Sequence, residues 1–206
     1  MLSREPRWQH PPLQSGWIDR PHQMLELGEL PLKSGEAIRD FRISYVTHGM
    51  RARADDNVIL ALTAIGATHH RLDFLIGPGR PLDPDRHFII CVDAIGNGLT
   101  TSPSNSPAQT DLAFPRFAIR DMVASQRRLL DALGIGQLLA VVGASMGGMQ
   151  ALQWGVSDVG RMRGIVALVP MARTRPWSVA MNEVGRRILA TDPGWPSGPY
   201  GGGFDA

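Results

Sequence analysis

The chain has 206 residues, 43% of them apolar and 19% charged, which is enough for one globular domain with a sizeable core. The formal net charge is +2 and the basic residues are scattered, which argues against a nucleic-acid-binding surface. There is a single cysteine, so no internal disulfide forms, and no apolar run approaches the ~20 residues needed to span a bilayer.

In chain order, residues 1–22 read as a loosely ordered arm interrupted by Pro6, Pro11, Pro12 and Pro21. Met1 to Trp17 lacks the apolar centre of a signal peptide, so a cytoplasmic location without a membrane partner is expected. Met24 to Leu30 and Ile38 to Thr47 are expected to form two strands around the turn-rich Lys33-Ser34-Gly35-Glu36. The pattern then changes to short, continuous apolar runs: Val58–Leu62, Phe88–Val92, Leu138–Val142 and Ile165–Val169. Runs without polar alternation are typical of parallel strands covered on both faces. Cys91 lies inside one of them and reads as a small buried hydrophobe, not a nucleophile.

Helices are expected from Ile119 to Leu133, ended by Gly134 and Gly136, from Met146 to Gly155, and from Trp177 to Ala190. Strands alternating with helices define an α/β class with a doubly wound, mostly parallel sheet and helices on both faces. The arginines at 161, 163, 173 and 175 read as solvated positions flanking the last strand. Thr191 to Ala206 is Gly/Pro-rich and unsuited to long regular structure, and there is no internal repeat.

One motif carries chemistry. Gly143-Ala144-Ser145-Met146-Gly147 matches G-x-S-x-G, and it falls between an expected strand and an expected helix. In that context the turn is so tight that the serine hydroxyl is held out above the sheet, where a base can reach it. Ser145 is therefore the candidate nucleophile. The Met146 N–H, at the helix N-terminus, is the first candidate donor to a tetrahedral oxyanion. The second should come from the end of the Val58–Leu62 strand, at Leu62 or Thr63.

Residues 143–154, Gly-Ala-Ser-Met-Gly-Gly-Met-Gln-Ala-Leu-Gln-Trp, closely resemble the nucleophile segment of homoserine O-acetyltransferases and their hydrolase-like relatives. Leu75 to Asp83, Gly96-Asn97-Gly98, Ser102-Pro103-Ser104-Asn105, and Asn182-Glu183-Val184 with Arg186, Asp192-Pro193 and Trp195 extend the resemblance. It implies an α/β-hydrolase fold with a core at 23–176, the start of a helical lid at 177–206, and commonly a dimer built through that lid. It also implies acetyl transfer from acetyl-CoA, as a co-substrate and not a resident cofactor, through an acyl-serine to a homoserine-like hydroxyl. Arg186 would hold the small-molecule substrate's carboxylate, and no metal is implied. An esterase of the same family is the alternative: Leu60-Ala61-Leu62-Thr63-Ala64 lacks the His and Gly of the transferases' His-Ala-Leu-Thr-Gly stretch.

The fold's triad runs Ser, acid, His along the chain. Here the six histidines are His10, His22, His48, His69, His70 and His87, all before Ser145. The downstream acids Asp158, Glu183, Asp192 and Asp205 do not occupy the acid position. Both partners of Ser145 are thus expected to be missing, as in a C-terminally truncated, inactive fragment. His69 and His70 follow the oxyanion strand and are weak candidates for a substitute base.

Overall fold

The computed structural model describes residues 10–192. Six strands form one sheet in the order β1-β2-β4-β3-β5-β6. They are β1 (Gln23–Pro31), β2 (Ala37–His48), β3 (Val58–Leu62), β4 (Phe88–Val92), β5 (Ala140–Ala144) and β6 (Ile165–Leu168). The first two form the expected antiparallel hairpin, and β2 pairs antiparallel with β4. The rest is parallel: β4 with β3, β3 with β5, β5 with β6. Three α-helices follow: α1 (Ile119–Ala132), α2 (Met146–Ser157) and α3 (Pro176–Leu189).

The continuous apolar runs have the cause expected of them. Leu60, Leu62, Ile90, Val92 and Val141 point to one face, where they meet Val123, Leu129 and Leu130 of α1 and Trp154 of α2. Ile59, Ala61, Ile89, Cys91, Val142 and Ala144 point to the other, where Leu72 of a 3-10 segment (His69–Leu75), Ile76 and Leu82 cover them. With both faces covered, no position is left for a polar residue. Cys91 is fully inside, and burial pushes its thiol far above the ordinary range.

Two expectations need correction. The strand expected at Leu138–Val142 runs instead from Ala140 to Ala144. Its register against β3, Ile59 with Ala140 through Leu62 with Gly143, carries it straight into the serine turn, and Leu138 makes only an isolated bridge to Met162. The strand expected at Ile165–Val169 ends at Leu168, with Val169 turning away at φ 42°. Its sequence is that of a covered strand, but with no strand following it an open edge is the expectation. The observed β6 is the sheet edge, with Val166 45% exposed. The strand has an apolar sequence, with β5 on one side and no strand on the other among the described residues.

The N-terminal arm is docked from residue 10 onward. The Ile18 N–H donates to Asp73 at 2.8 Å, and the Trp17 ring stacks on His70 at 4.2 Å between centroids. Residues 1–9, and the Gly/Pro-rich tail from 193 to 206, lie outside the described residues. The helix expected from Trp177 is present as α3, which has no buried residue.

Asp121 ties the hairpin to α1. Its two carboxylate oxygens accept from the Ala118 N–H and the Lys33 N–H, each at 2.8 Å, and the residue is buried. One bond closes the first turn of the helix; the other fixes the end of β1 against it. Asp121→Ala should lower the unfolding free energy in urea by about 1–2 kcal/mol, because it removes two hydrogen bonds to a carboxylate that joins the helix start to the hairpin.

Candidate active site

β5 ends at Ala144 and α2 begins at Met146, so Ser145 alone makes the turn. Its backbone is at φ 56°, ψ −118°, a conformation that L-residues rarely adopt. The strain is held from both sides. The Ser145 N–H donates to the Leu168 carbonyl of β6 at 2.9 Å, and the Ser145 carbonyl accepts from the Met149 N–H at 3.0 Å. The side chain makes no capping bond to the helix it begins. Serine at a helix start ordinarily caps it; here the hydroxyl is left for other partners.

The glycines of the motif are required by contact. A Cβ on Gly143 would lie 2.2 Å from the Gly147 carbonyl oxygen. One on Gly147 would lie 2.5 Å from the Leu62 carbonyl oxygen, and one on Gly148 would lie 3.0 Å from that of Leu168. The first turn of α2 thus lies directly against the ends of β3 and β6.

Both oxyanion candidates border this turn. Met146 is the first residue of α2, where N–H groups have no intrahelical acceptor. Leu62 is the last residue of β3, paired on both sides, with Val92 and with Gly143. Thr63 is the first residue past the ladder. Its hydroxyl is buried and has no hydrogen-bond partner among the described residues.

A buried polar chain fixes the Thr63 carbonyl. Trp154 Nε1–H donates to Gln126 Oε1 at 2.7 Å, Gln126 Nε2 to Gln150 Oε1 at 2.5 Å, and Gln150 Nε2 to the Thr63 carbonyl at 3.2 Å. These residues escaped the sequence reading. The signal was two glutamines on the inward faces of amphipathic helices, where apolar residues belong.

Arg186 is exposed on α3, and its guanidinium donates to Glu183 at 2.8 and 3.2 Å. Asp158 pairs with Arg127 at 3.1 Å. Glu183 is held below the usual carboxylate range by hydrogen bonds from Arg186 and Arg187. These acids serve cations on their own surface and none contacts Ser145.

His69 and His70 lie on the 3-10 segment, on the sheet face opposite α1 and α2. His69 Nδ1 is 3.1 Å from Asp93, and His70 Nδ1 is 2.6 Å from Asp73. No hydrogen bond joins either ring to Ser145 among the described residues. Burial lowers the pKa of His70, while burial and the neighbouring His69 lower that of His22 to about 4, so both are neutral near pH 7. Burial raises the Asp93 pKa, but hydrogen bonds from His69 and Ser44 outweigh it and leave the net shift downward.

A mixed sheet, parallel from β4 through β6, with a strained serine between strand and helix defines an α/β-hydrolase core, and the comparisons agree. The chain belongs to the alpha/beta hydrolase fold family, whose model matches residues 57–205. It is 40% identical over 189 residues to a homoserine O-acetyltransferase of Methanosalsum zhilinae, a match covering 84% of this chain and 38% of the relative. Among solved structures, an acetylester hydrolase from Corynebacterium glutamicum has a TM-score of 0.81 at 33% identity, covering 84% of this chain and 51% of that one. The homoserine O-acetyltransferase of Bacillus anthracis also has a TM-score of 0.81, at 28% identity, covering 88% of this chain and 55% of that one. The chain therefore spans about half the length, or less, of the relatives it matches.

Proposed function

We propose that Ser145 is the nucleophile of an acyl transfer that passes through an acyl-serine. The observation that carries this is the backbone of Ser145, held at φ 56° between β5 and α2 with its hydroxyl uncommitted to the helix. Strain of this kind persists only where the surroundings enforce it, and here three glycines and the Leu168 carbonyl do so.

In the first step the Ser145 oxygen attacks the acyl carbonyl and its proton passes to a base. The tetrahedral intermediate collapses by breaking the donor's carbonyl–sulfur or carbonyl–oxygen bond, the leaving thiol or alcohol taking up that proton. The Met146 N–H and the Thr63 N–H receive the developing oxyanion. Thr63 is preferred to Leu62 because it stands beyond the ladder that holds Leu62 between two strands. The unpartnered Thr63 hydroxyl supports a polar ligand in this position. In the second step an acceptor hydroxyl, or water, takes the acyl group from the serine.

Homoserine as the acceptor of an acetyl group is the reading that the homoserine O-acetyltransferase relatives support. Acetyl-CoA as donor, a cytoplasmic location and a dimer are what the family resemblance of residues 143–154 implies. Arg186 would then exchange Glu183 for the substrate carboxylate, a role suited to a bidentate guanidinium. Hydrolysis of an acetyl ester is the second reading, favoured by the likeness to the Corynebacterium glutamicum acetylester hydrolase.

The base is not among these 206 residues in the fold's usual order, since no histidine follows Ser145. The test is phosphonylation by a fluorophosphonate, read by intact mass. Labelling should be slow, should accelerate when free imidazole supplies the base, and should disappear in Ser145→Ala. Labelling that survives in Ser145→Ala, or no labelling of the folded chain even with imidazole, would refute the assignment. Fast labelling without imidazole that is lost in Ser145→Ala would mean that an upstream group serves as base.

A further inference from the structure

A second cluster of chemically active side chains makes no hydrogen bond to Ser145 among the described residues. It gathers His10 and His22 of the N-terminal arm, His69 and His70 of the 3-10 segment, and Asp93 just after β4. His22 Nε2 is 3.0 Å from His69 Nδ1, His69 Nδ1 is 3.1 Å from Asp93 Oδ2, and His22 Nε2 is 3.8 Å from the same oxygen. His10 brings a ring nitrogen within 4.8 Å of those of His22 and His69.

Hydrogen bonding alone serves this triangle badly. A ring nitrogen has one in-plane direction, occupied either by a proton or by a lone pair. His69 Nδ1 has two partners crowding that direction, an imidazole nitrogen and a carboxylate oxygen. A proton directed to Asp93 leaves His22 poorly paired; a lone pair directed to His22 faces the carboxylate. A cation among the three atoms meets a lone pair from each. Tetrahedral zinc, with ligands at ~2.0–2.1 Å, separates those ligands by roughly 3.3 Å, and the observed edges of 3.0, 3.1 and 3.8 Å bracket that value.

The surroundings have the features of a supported site. Asp93 is fully buried and oriented by the Ser44 hydroxyl at 2.8 Å, the His69 N–H at 2.8 Å and Asn97 Nδ2 at 2.9 Å. His70 Nε2 lies 2.9 Å from His10 Nε2, while its own Nδ1 is held by Asp73 at 2.6 Å. Carboxylate-backed imidazoles of this sort orient the ligands of metal sites. Three imidazoles with one carboxylate suit a zinc-class divalent ion; magnesium and calcium prefer all-oxygen sets.

We propose that His22, His69 and Asp93, with His10 completing the set, bind one zinc-class divalent cation that fastens the N-terminal arm to the sheet. The test titrates Co²⁺, then Zn²⁺, into the metal-stripped 206-residue chain. One equivalent of Co²⁺ should give intense visible bands of tetrahedral coordination, displaced by Zn²⁺, and Zn²⁺ should raise the Tm. His22→Ala, with circular dichroism confirming the fold, should abolish the bands and weaken binding by on the order of 100-fold. His10→Ala should retain a weaker site. Absence of saturable binding in the parent chain, or equal binding in a folded His22→Ala, would overturn the proposal and leave the cluster as packing for the arm.

Discussion

Joined at its C-terminus to the acid- and histidine-bearing half of a homologous homoserine O-acetyltransferase, this chain should cleave an activated acetyl ester on the order of 10⁴–10⁶-fold faster than the 206 residues alone. The size follows from what Ser145 has and lacks. Its strained turn and the glycines that enforce it are in place. A serine hydroxyl without a base is nevertheless a poor nucleophile at pH 7. Oxyanion donors alone account for a residual acceleration of about 10³–10⁴ over water, so the missing rate belongs to proton transfer. The same extended protein carrying Ser145→Ala should return to the rate of the unextended chain. Release of CoA from acetyl-CoA, followed with and without homoserine, then separates the two readings. CoA release beyond one equivalent that requires homoserine supports the transferase; continued release indifferent to homoserine, with ester cleavage intact, supports the hydrolase. A Ser145-dependent rate in the 206-residue chain equal to that of the extended form would mean an upstream group already serves as base.

How much of this was legible beforehand depends on whether the information is local. The strand runs, the helix from Ile119 and the serine turn are properties of short windows, and each was found within a few residues. The two-residue error at β5 arose because apolarity favours Leu138 and Leu139, whereas pairing with Ile59–Leu62 sets where the strand begins. The apolar sequence of β6 signals a strand, and the lack of any further apolar run after it in the sequence signals the open edge that the structure has. The His10–His22–His69–Asp93 cluster was illegible for a different reason. Its members come from three separate segments spanning more than eighty positions, with no ligand spacing to betray them, and they meet only because the arm folds back across the 3-10 segment. Gln126 and Gln150 were missed because a glutamine on an apolar helix face looks like a lapse in patterning until its partners are seen.

The glycines of the turn allow a test in which two physical effects oppose each other. Gly147 and Gly155 both lie in α2, where alanine is favoured over glycine by up to about 1 kcal/mol. Propensity alone therefore predicts that both Gly→Ala changes stabilise the protein. Packing separates them. A Cβ at 155 meets Ile165 Cδ1 at 3.3 Å, the far end of a flexible side chain that can turn aside. A Cβ at 147 meets the Leu62 carbonyl oxygen at 2.5 Å and carbon at 3.0 Å, with the Thr63 oxygen also at 3.0 Å. Those atoms are backbone at the end of the central strand β3, held on both sides by β4 and β5, and they cannot yield without breaking the sheet. Gly155→Ala should accordingly change the unfolding free energy in urea by less than about 1 kcal/mol. Gly147→Ala should lower it by about 3 kcal/mol or more, because overpacking against fixed backbone outweighs the gain in helix propensity. It should also slow phosphonylation of Ser145 in the presence of imidazole, since relief of the clash has to move the first turn of α2 away from β3 and the oxyanion donors with it. Equal stability of the two variants would mean that the turn is free to shift, and that the strained backbone of Ser145 is not enforced by its neighbours.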